Sequence, residues 1–567
     1  RILCEAWAAA LGVERVGIDD DYFALGGDSI RSIRLVALAR DKGVTASLPQ
    51  LFGNPTVRRL AAVLEDAGPA AGTADKEPAG PFSLVAEADR ALLPAWAEDA
   101  YPLTRLQAGM LFHGDFDAAQ SLYQDLFLFR LRLPVDIPAL ERALAETVAA
   151  HPALRTGFDL ESFSRPLQLV RREVPSPLSV SDLRGLPAAE QESRLAAHVA
   201  EERRLGYDWR QAPCGRIAVH RLADDVVHLS LGFHHAVLDG WSVATLLTRL
   251  IGLYLGRPVQ AGAGGTAVPA CFVALEKAAV ADEAVRRFWA ARVAGLEVPR
   301  LPRLAVAPPA DAGGKVSRHL VALPDSLSGR LAASADRLGA PIKSLALAAH
   351  LRVLAFATGR PDAVTGYVTH GRPELDGASE VTGLFLNTVP LRLKLGSGTW
   401  RDLVRDLLRE EAEVLTNRRL PTADIKRLAG GIDLYEAGFN FIHFHVYAGI
   451  LGMPELRVLD VAIFEETDFP FLAQFARHPT SGELELTLIY DHEKYSAEQI
   501  GDLGGAYIGV MEALADRPDE PVAALDLLGA GQRDWLVREA NAGAEVRPTG
   551  TLTGWFEATA AAHPDRA

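Results

Sequence analysis

The stretch Phe233-His234-His235-Ala236-Val237-Leu238-Asp239-Gly240-Trp241-Ser242 follows an apolar run, Val226-Val227-His228-Leu229-Ser230-Leu231-Gly232, that reads as a β-strand. Two adjacent histidines close the strand, Asp239 follows four residues after the second, and a turn leads into a helix predicted over Ser242 to Tyr254. A neutral imidazole accepts a proton near neutral pH, which suits an attacking amine. Asp239 stands too close in sequence to act as an independent second base, but an arginine partner would let it anchor the loop. For the bare pair, two buried and hydrogen-bonded histidines at a strand end are the simpler reading. Metal binding is disfavoured, because adjacent histidines point in different directions and no third ligand is spaced to complete a site.

Working outward, strands and helices alternate. Leu126 to Leu133 reads as a strand and Ile137 to Ala150 as an amphipathic helix. The alternation resumes with a helix from Ser326 and strands at Ala363–Val368, Thr388–Leu395 and Phe439–Tyr447. Two α/β lobes, residues 96–270 and 271–525, fit this pattern better than one large sheet. Residues 1–65 read as a small helical bundle, with one helix around Leu3 and Trp7, a second from Ser29 and a third after Pro55. Residues 66–95 are rich in Gly, Pro and small polar residues and are predicted to be a flexible linker. Residues 526–567 form a tail with helices at Leu527–Asn541 and Leu552–Ala562 and too little core to fold alone.

Composition narrows the classes. With 49% hydrophobic and 23% charged residues the 567-residue chain is neither disordered nor fibrous. A net charge of −15 without a basic block argues against nucleic acid as a partner. Three scattered cysteines, Cys4, Cys214 and Cys271, provide no disulfide framework and suit a reducing cytoplasm. The most apolar run, Ser344 to Thr358, is short and interrupted by His350 and Arg352, so no membrane partner is expected. A start at Arg1 and an end at Ala567 within a helical pattern suggest a segment of a longer protein.

A second constellation is Leu25-Gly26-Gly27-Asp28-Ser29-Ile30. Two glycines turn the backbone and leave Ser29 open at a helix N-terminus, where free N–H groups and the helix dipole favour an anion such as a phosphodiester. Taken alone, Ser29 reads more simply as an N-cap.

In context, Asp19-Asp20-Asp21-Tyr22-Phe23 and the following Gly-Gly-Asp-Ser resemble the peptidyl carrier domains of non-ribosomal peptide synthetases over residues 1–65. The resemblance implies a 4′-phosphopantetheine arm on Ser29, installed by a phosphopantetheinyl transferase. Asp28 departs from the His of many such carriers. The His234–Gly240 string resembles the HHxxxDG core of condensation domains, members of the chloramphenicol-acetyltransferase-like superfamily. Further segments agree in order over about residues 98–525: Tyr101 to His113, His151 to Phe158, Thr382 to Pro390, Asn417 to Pro421 and Phe439 to His445. This implies two lobes enclosing a tunnel and amide bond formation between a carrier-bound donor thioester and the α-amine of a carrier-bound acceptor. His235 is the expected catalytic residue, as a base or a positioning group. His234 and Gly240 complete the motif, and Asp239 is expected to pair with Arg155. Asn387 is expected in the crossover between lobes, satisfying backbone groups or contacting a substrate arm. His443 and His445 are expected to pack in the core or tunnel wall. Asn541-Ala542-Gly543, Phe556-Glu557 and His563-Pro564-Asp565 resemble the start of an adenylation domain, which implies upstream adenylation and downstream adenylation and carrier domains as partners. Epimerisation, with or without condensation, and an inactive carrier-docking scaffold are the alternatives. The intact histidines and the Gly240-Trp241-Ser242 ending argue against them.

Overall fold

A computed structural model describes residues 1–23, 25–27, 29–67, 80–116, 123–257, 269–303, 315–375, 377–443, 447–465, 467–478, 481–539 and 550–564. Two compact units are distinguished, Arg1–Leu525 and Asp526–Ala567.

Within the first unit, residues 2–67 form helices α1 (Ile2–Leu11), α2 (Ser29–Asp41), α3 (Leu48–Gly53) and α4 (Val57–Ala67). Leu3 and Trp7 recur at helical spacing on α1 and close one apolar core with Ile33, Leu51 and Leu60 of α2, α3 and α4. Trp7 meets Tyr22 edge-to-face with ring centroids 5.6 Å apart. α3 was not expected. Only six residues long, it has too few turns to show a periodicity, but Ser47 and Gln50 form a reciprocal capping box that marks its start.

Among the described residues fourteen strands follow. β2 (Gln124–Arg132), β5 (Leu178–Asp182), β6 (Gly215–Arg221), β7 (Val226–His234) and β12 (Arg457–Phe464) form one sheet, ordered β12-β2-β7-β6-β5. β8 (Val316–Val321), β9 (Asp362–His370), β10 (Leu386–Lys394), β11 (Ala437–Ile442), β13 (Phe471–Arg477) and β14 (Leu484–Asp491) form a second, ordered β10-β9-β11-β13-β14-β8. β1 (Ala97–Pro102), β4 (Leu167–Arg171) and β3 (Thr156–Asp159) form a small third sheet.

The sheets correct a division of the chain at residue 270. β12 comes from the C-terminal half but pairs antiparallel with β2, Phe464 opposite Leu126. Without it the apolar run of β2 would be an open edge, and an uncovered apolar edge invites mispairing.

Residues 80–95, expected to continue the flexible linker, are packed instead. Val85 is buried with Leu167 and Leu169, and buried Asp89 accepts a hydrogen bond from Ser164 Oγ. The rest of that expected linker, residues 68–79, lies outside the described residues.

The apolar run around residue 350 is the buried helix Ile342–Thr358. His350 is satisfied between Tyr507 (2.6 Å) and Thr365 (2.8 Å), which explains a histidine inside it. Among the described residues no single helix is long and apolar enough to cross a membrane. In the second unit, helix Leu552–Ala562 buries no residue and leaves Leu552, Trp555 and Phe556 exposed.

Candidate active site

β7 and the turn after it set the two histidines apart. The backbone N–H of His235 donates to the Tyr123 carbonyl at 2.7 Å, continuing the β2–β7 ladder past His234. The His234 ring turns inward, its Nδ1 accepting the Ala236 N–H at 3.1 Å. Burial, with His235 alongside, lowers its pKa to about 4, so it stays neutral. The His235 ring points the other way, into a cavity of about 1420 Å³.

Asp125 on β2 alters the chemistry expected of His235. Its Oδ2 lies 2.8 Å from His235 Nδ1, a close ion pair rather than a straight hydrogen bond. Burial alone would lower the histidine's pKa. The Asp125 charge outweighs it, with Glu465 and Asp239 adding, and the result is pushed up to about 9. At neutral pH the imidazolium of His235 is therefore favoured, which suits the positioning group better than the base, the two roles expected of it. Asp125 was not legible beforehand. It is 110 positions from His235 in the chain, and a carboxylate at the start of an apolar strand carries no local motif.

Asp239 caps the helix Gly240–Tyr254, accepting the Ser242 N–H at 2.8 Å and the Ser242 hydroxyl at 2.6 Å. Its ion-pair partner is Arg372, at 3.1 Å, and both side chains are buried. Arg372 also donates to the carbonyls of Ala378 and Val381. The second Asp239 oxygen accepts the Phe385 N–H at 3.2 Å, and Ser242 Oγ accepts the Gly383 N–H at 3.0 Å. Asp239 thus ties the turn to the segment that begins at Thr382.

The expected Arg155–Asp239 pair is corrected. Arg155 is buried beside the small third sheet, paired with Glu98 at 2.5 Å and donating to the carbonyls of Val148 and Arg171. It ends the 3-10 turn Pro152–Arg155 before β3, so its guanidinium satisfies local carbonyls rather than the turn after β7.

Asn387 is also structural in its contacts. Its amide donates to the carbonyls of Arg418 (2.7 Å) and Leu420 (2.8 Å). Gly240 opens the helix that Asp239 caps. Gln107, from the opening segment, holds the turn by donating to the Ala236 carbonyl at 2.9 Å. His443 lines the cavity, and His445 lies outside the described residues. Among the described residues no three His, Cys, Asp or Glu side chains gather as metal ligands.

Ser29 opens α2, and Gly26 before it has φ +89°. A Cβ on Gly27 would stand 2.5 Å from the Tyr22 carbonyl oxygen, so only glycine fits there. Asp28 lies outside the described residues. Gly27, Phe23 and Phe52 line the same cavity as His235.

The condensation-domain model matches residues 97–537, and the phosphopantetheine attachment site model matches residues 1–64. The chain belongs to the condensation-domain family. The AMB antimetabolite synthetase AmbE of Pseudomonas aeruginosa is 36% identical over 536 residues, 92% of this chain and 25% of that protein. The phosphinothricin tripeptide synthetase PhsB of Streptomyces viridochromogenes is 28% identical over 96% of this chain and 46% of its own. The chain therefore spans a quarter to a half of these relatives. Among solved structures, the first condensation domain of the calcium-dependent antibiotic synthetase, in complex with a substrate analogue, shares the fold with a TM-score of 0.61. It is 22% identical and covers 76% of this chain and 100% of that one.

The chain thus joins a segment that matches the phosphopantetheine attachment site, which takes 4′-phosphopantetheine covalently, to a condensation domain. The bare backbone at Gly27 and the helix start beside it fit such a group, which supplies a thiol that holds an acyl chain as a thioester.

Proposed function

We propose that Ser29 carries the arm and that the helices of residues 1–65, a carrier bundle, deliver a donor acyl group to His235. The observation that carries this reading is the single cavity whose wall includes both Gly27, two residues from Ser29, and His235. The seat of the helices supports it. The core of α1–α4 continues into Trp241 and Ala378, Arg40 donates to the Glu374 carbonyl at 2.5 Å, and Lys343 lies 6.0 Å from the Phe52 ring centroid. Tethering the donor makes even weak docking sufficient, because local concentration replaces affinity.

In this reading a separate carrier presents the acceptor amine, and residues 96–525 hold both substrates in line. The Asp239–Arg372 pair fixes the turn, Asp125 fixes His235, and the His235 imidazolium stabilises negative charge developing at the thioester. A phosphopantetheinyl transferase loads Ser29, upstream adenylation supplies its acyl group, and residues 526–567 lead into a further adenylation domain. The cytoplasm supplies these partners.

A single-turnover assay with a donor on Ser29 and a separate aminoacyl carrier tests this reading. Ser29→Ala should accept no arm. His235→Ala should lose about 10²–10⁴-fold in rate while still accepting it. Full modification of Ser29→Ala, or near-parental rates for His235→Ala, would sink the assignment.

A further inference from the structure

A second carboxylate reaches the same end of the cavity. β12 ends at Phe464, opposite Leu126, so the next residue, Glu465, comes opposite Asp125. Asp125 in turn faces Phe233, two residues before His235. Three neighbouring strand ends, one from the C-terminal half of the chain, bring Glu465, Asp125 and His235 to one rim of the cavity, and all three line it.

The two carboxylates are not equivalent. Asp125 is 4% exposed and committed to His235 Nδ1. The Glu465 side chain is 32% exposed, and its ion-pair partner Arg318 stands off at 3.7 Å. Arg318 also donates to the Glu465 carbonyl, which clamps the residue at the strand end. Amide formation removes a proton from the amine nitrogen, and an imidazolium has no lone pair to take it. The proton needs another acceptor on this rim.

On the reading that this cavity hosts condensation, we propose that Glu465 takes the proton of the acceptor amine while His235 donates its proton to the departing sulfur. The amine nitrogen bonds to the thioester carbon, and the carbon–sulfur bond breaks. Glu465 gains the proton that nitrogen loses. The sulfur leaves with its bonding pair and gains the His235 proton. Proton exchange with water restores both residues, so the net change is amide plus thiol from amine plus thioester.

The charges around Glu465 suit the role. Burial raises its pKa and Asp125 on β2 adds to this, while Arg318 on β8 and His235 oppose it; Tyr447 faces it from the segment after β11. A carboxylate raised in this way is a better base near neutral pH than an exposed one.

The test uses the full chain with a donor on Ser29 and a separate aminoacyl carrier, in single turnovers from pH 6 to 9. The parental rate should rise on the acid side more steeply than deprotonation of the acceptor amine alone allows, as Glu465 ionises as well, and fall on the alkaline side as His235 loses its proton. Glu465→Gln should lose about 10²-fold or more and the extra steepness of its acid limb, with loading of Ser29 and melting temperature unchanged. Glu465→Asp should keep part of the rate, and formate should restore part of it to Glu465→Ala. A Glu465→Gln variant with parental rate and pH profile would overturn the proposal. So would a slow variant that keeps the extra steepness and ignores formate. No amide from the parental chain would instead overturn the reading of the cavity, and this proposal with it.

Discussion

Asp125 and His235 form a close ion pair, Oδ2 to Nδ1 at 2.8 Å, across strands that begin and end at the same rim of the cavity. Because the histidine's pKa is raised in the folded state, the pair's stabilisation is fully present below the unfolded value near 6.5 and is lost as pH rises through about 9. Asp125→Asn should therefore narrow its stability gap to the parent between pH 6.5 and 9. It should also slow condensation at neutral pH by returning His235 to the neutral form. Melting curves across that range check the first point, and a gap independent of pH would refute it.

The Asp239–Arg372 pair is buried on both sides. Removing either partner leaves an uncompensated buried charge, at a cost of about 3–5 kcal/mol. Asp239→Ala and Arg372→Ala should each unfold early, and the double variant should be less destabilised than the sum of the two. Arg155→Ala should show no such coupling to Asp239→Ala. Denaturant titrations of the six proteins, the parent and both double variants included, decide between the two arginines.

Gly27→Ala drives a methyl group into the Tyr22 backbone. The turn before α2 must then move, and Ser29 with it. We expect Gly27→Ala to be modified by a phosphopantetheinyl transferase far more slowly than the parent, as read by intact mass. Parental loading would show that the turn is not needed to present the serine.

Arg40 joins α2 to the segment after β9 through the Glu374 carbonyl. Arg40→Glu should weaken the seat of the carrier helices without touching Ser29 or His235. Loading should be unchanged and single-turnover condensation several-fold slower. An unchanged rate would mean that this contact does not help present the donor.

His198, His220 and His228 cluster on the β12-β2-β7-β6-β5 sheet and its covering helix, with ring centroids 4.6 Å and 5.8 Å apart. Burial lowers the pKa of all three, His220 and His228 to about 4. A lowered histidine pKa means that the unfolded chain binds protons first as pH falls. Stability from this cluster is thus present above about 6.5 and lost between there and about 4. His228→Asn should flatten the decline of melting temperature over that window. A slope equal to the parent's would remove the cluster from the acid response.

What the sequence alone determined was local. Helix Ile137–Ala150, β7 and helix Leu552–Ala562 were legible because each carries its own periodicity and end signals. The turn from His235 to Asp239 was legible as a motif, since its residues are neighbours in the chain. The tertiary structure decided who meets them. Arg372 rather than Arg155 reaches Asp239, because β9 delivers it to the turn while Arg155 is consumed by carbonyls beside its own strand. Asp125 and Glu465 join His235 only because β2 lies between β7 and β12, a pairing of segments 100 and more residues apart. No local pattern encodes such pairings, since strand partners are chosen by burial of whole faces and edges. The protonation state of His235 follows from that choice: the motif supplies an imidazole, and the neighbouring strand supplies the carboxylate that keeps it charged.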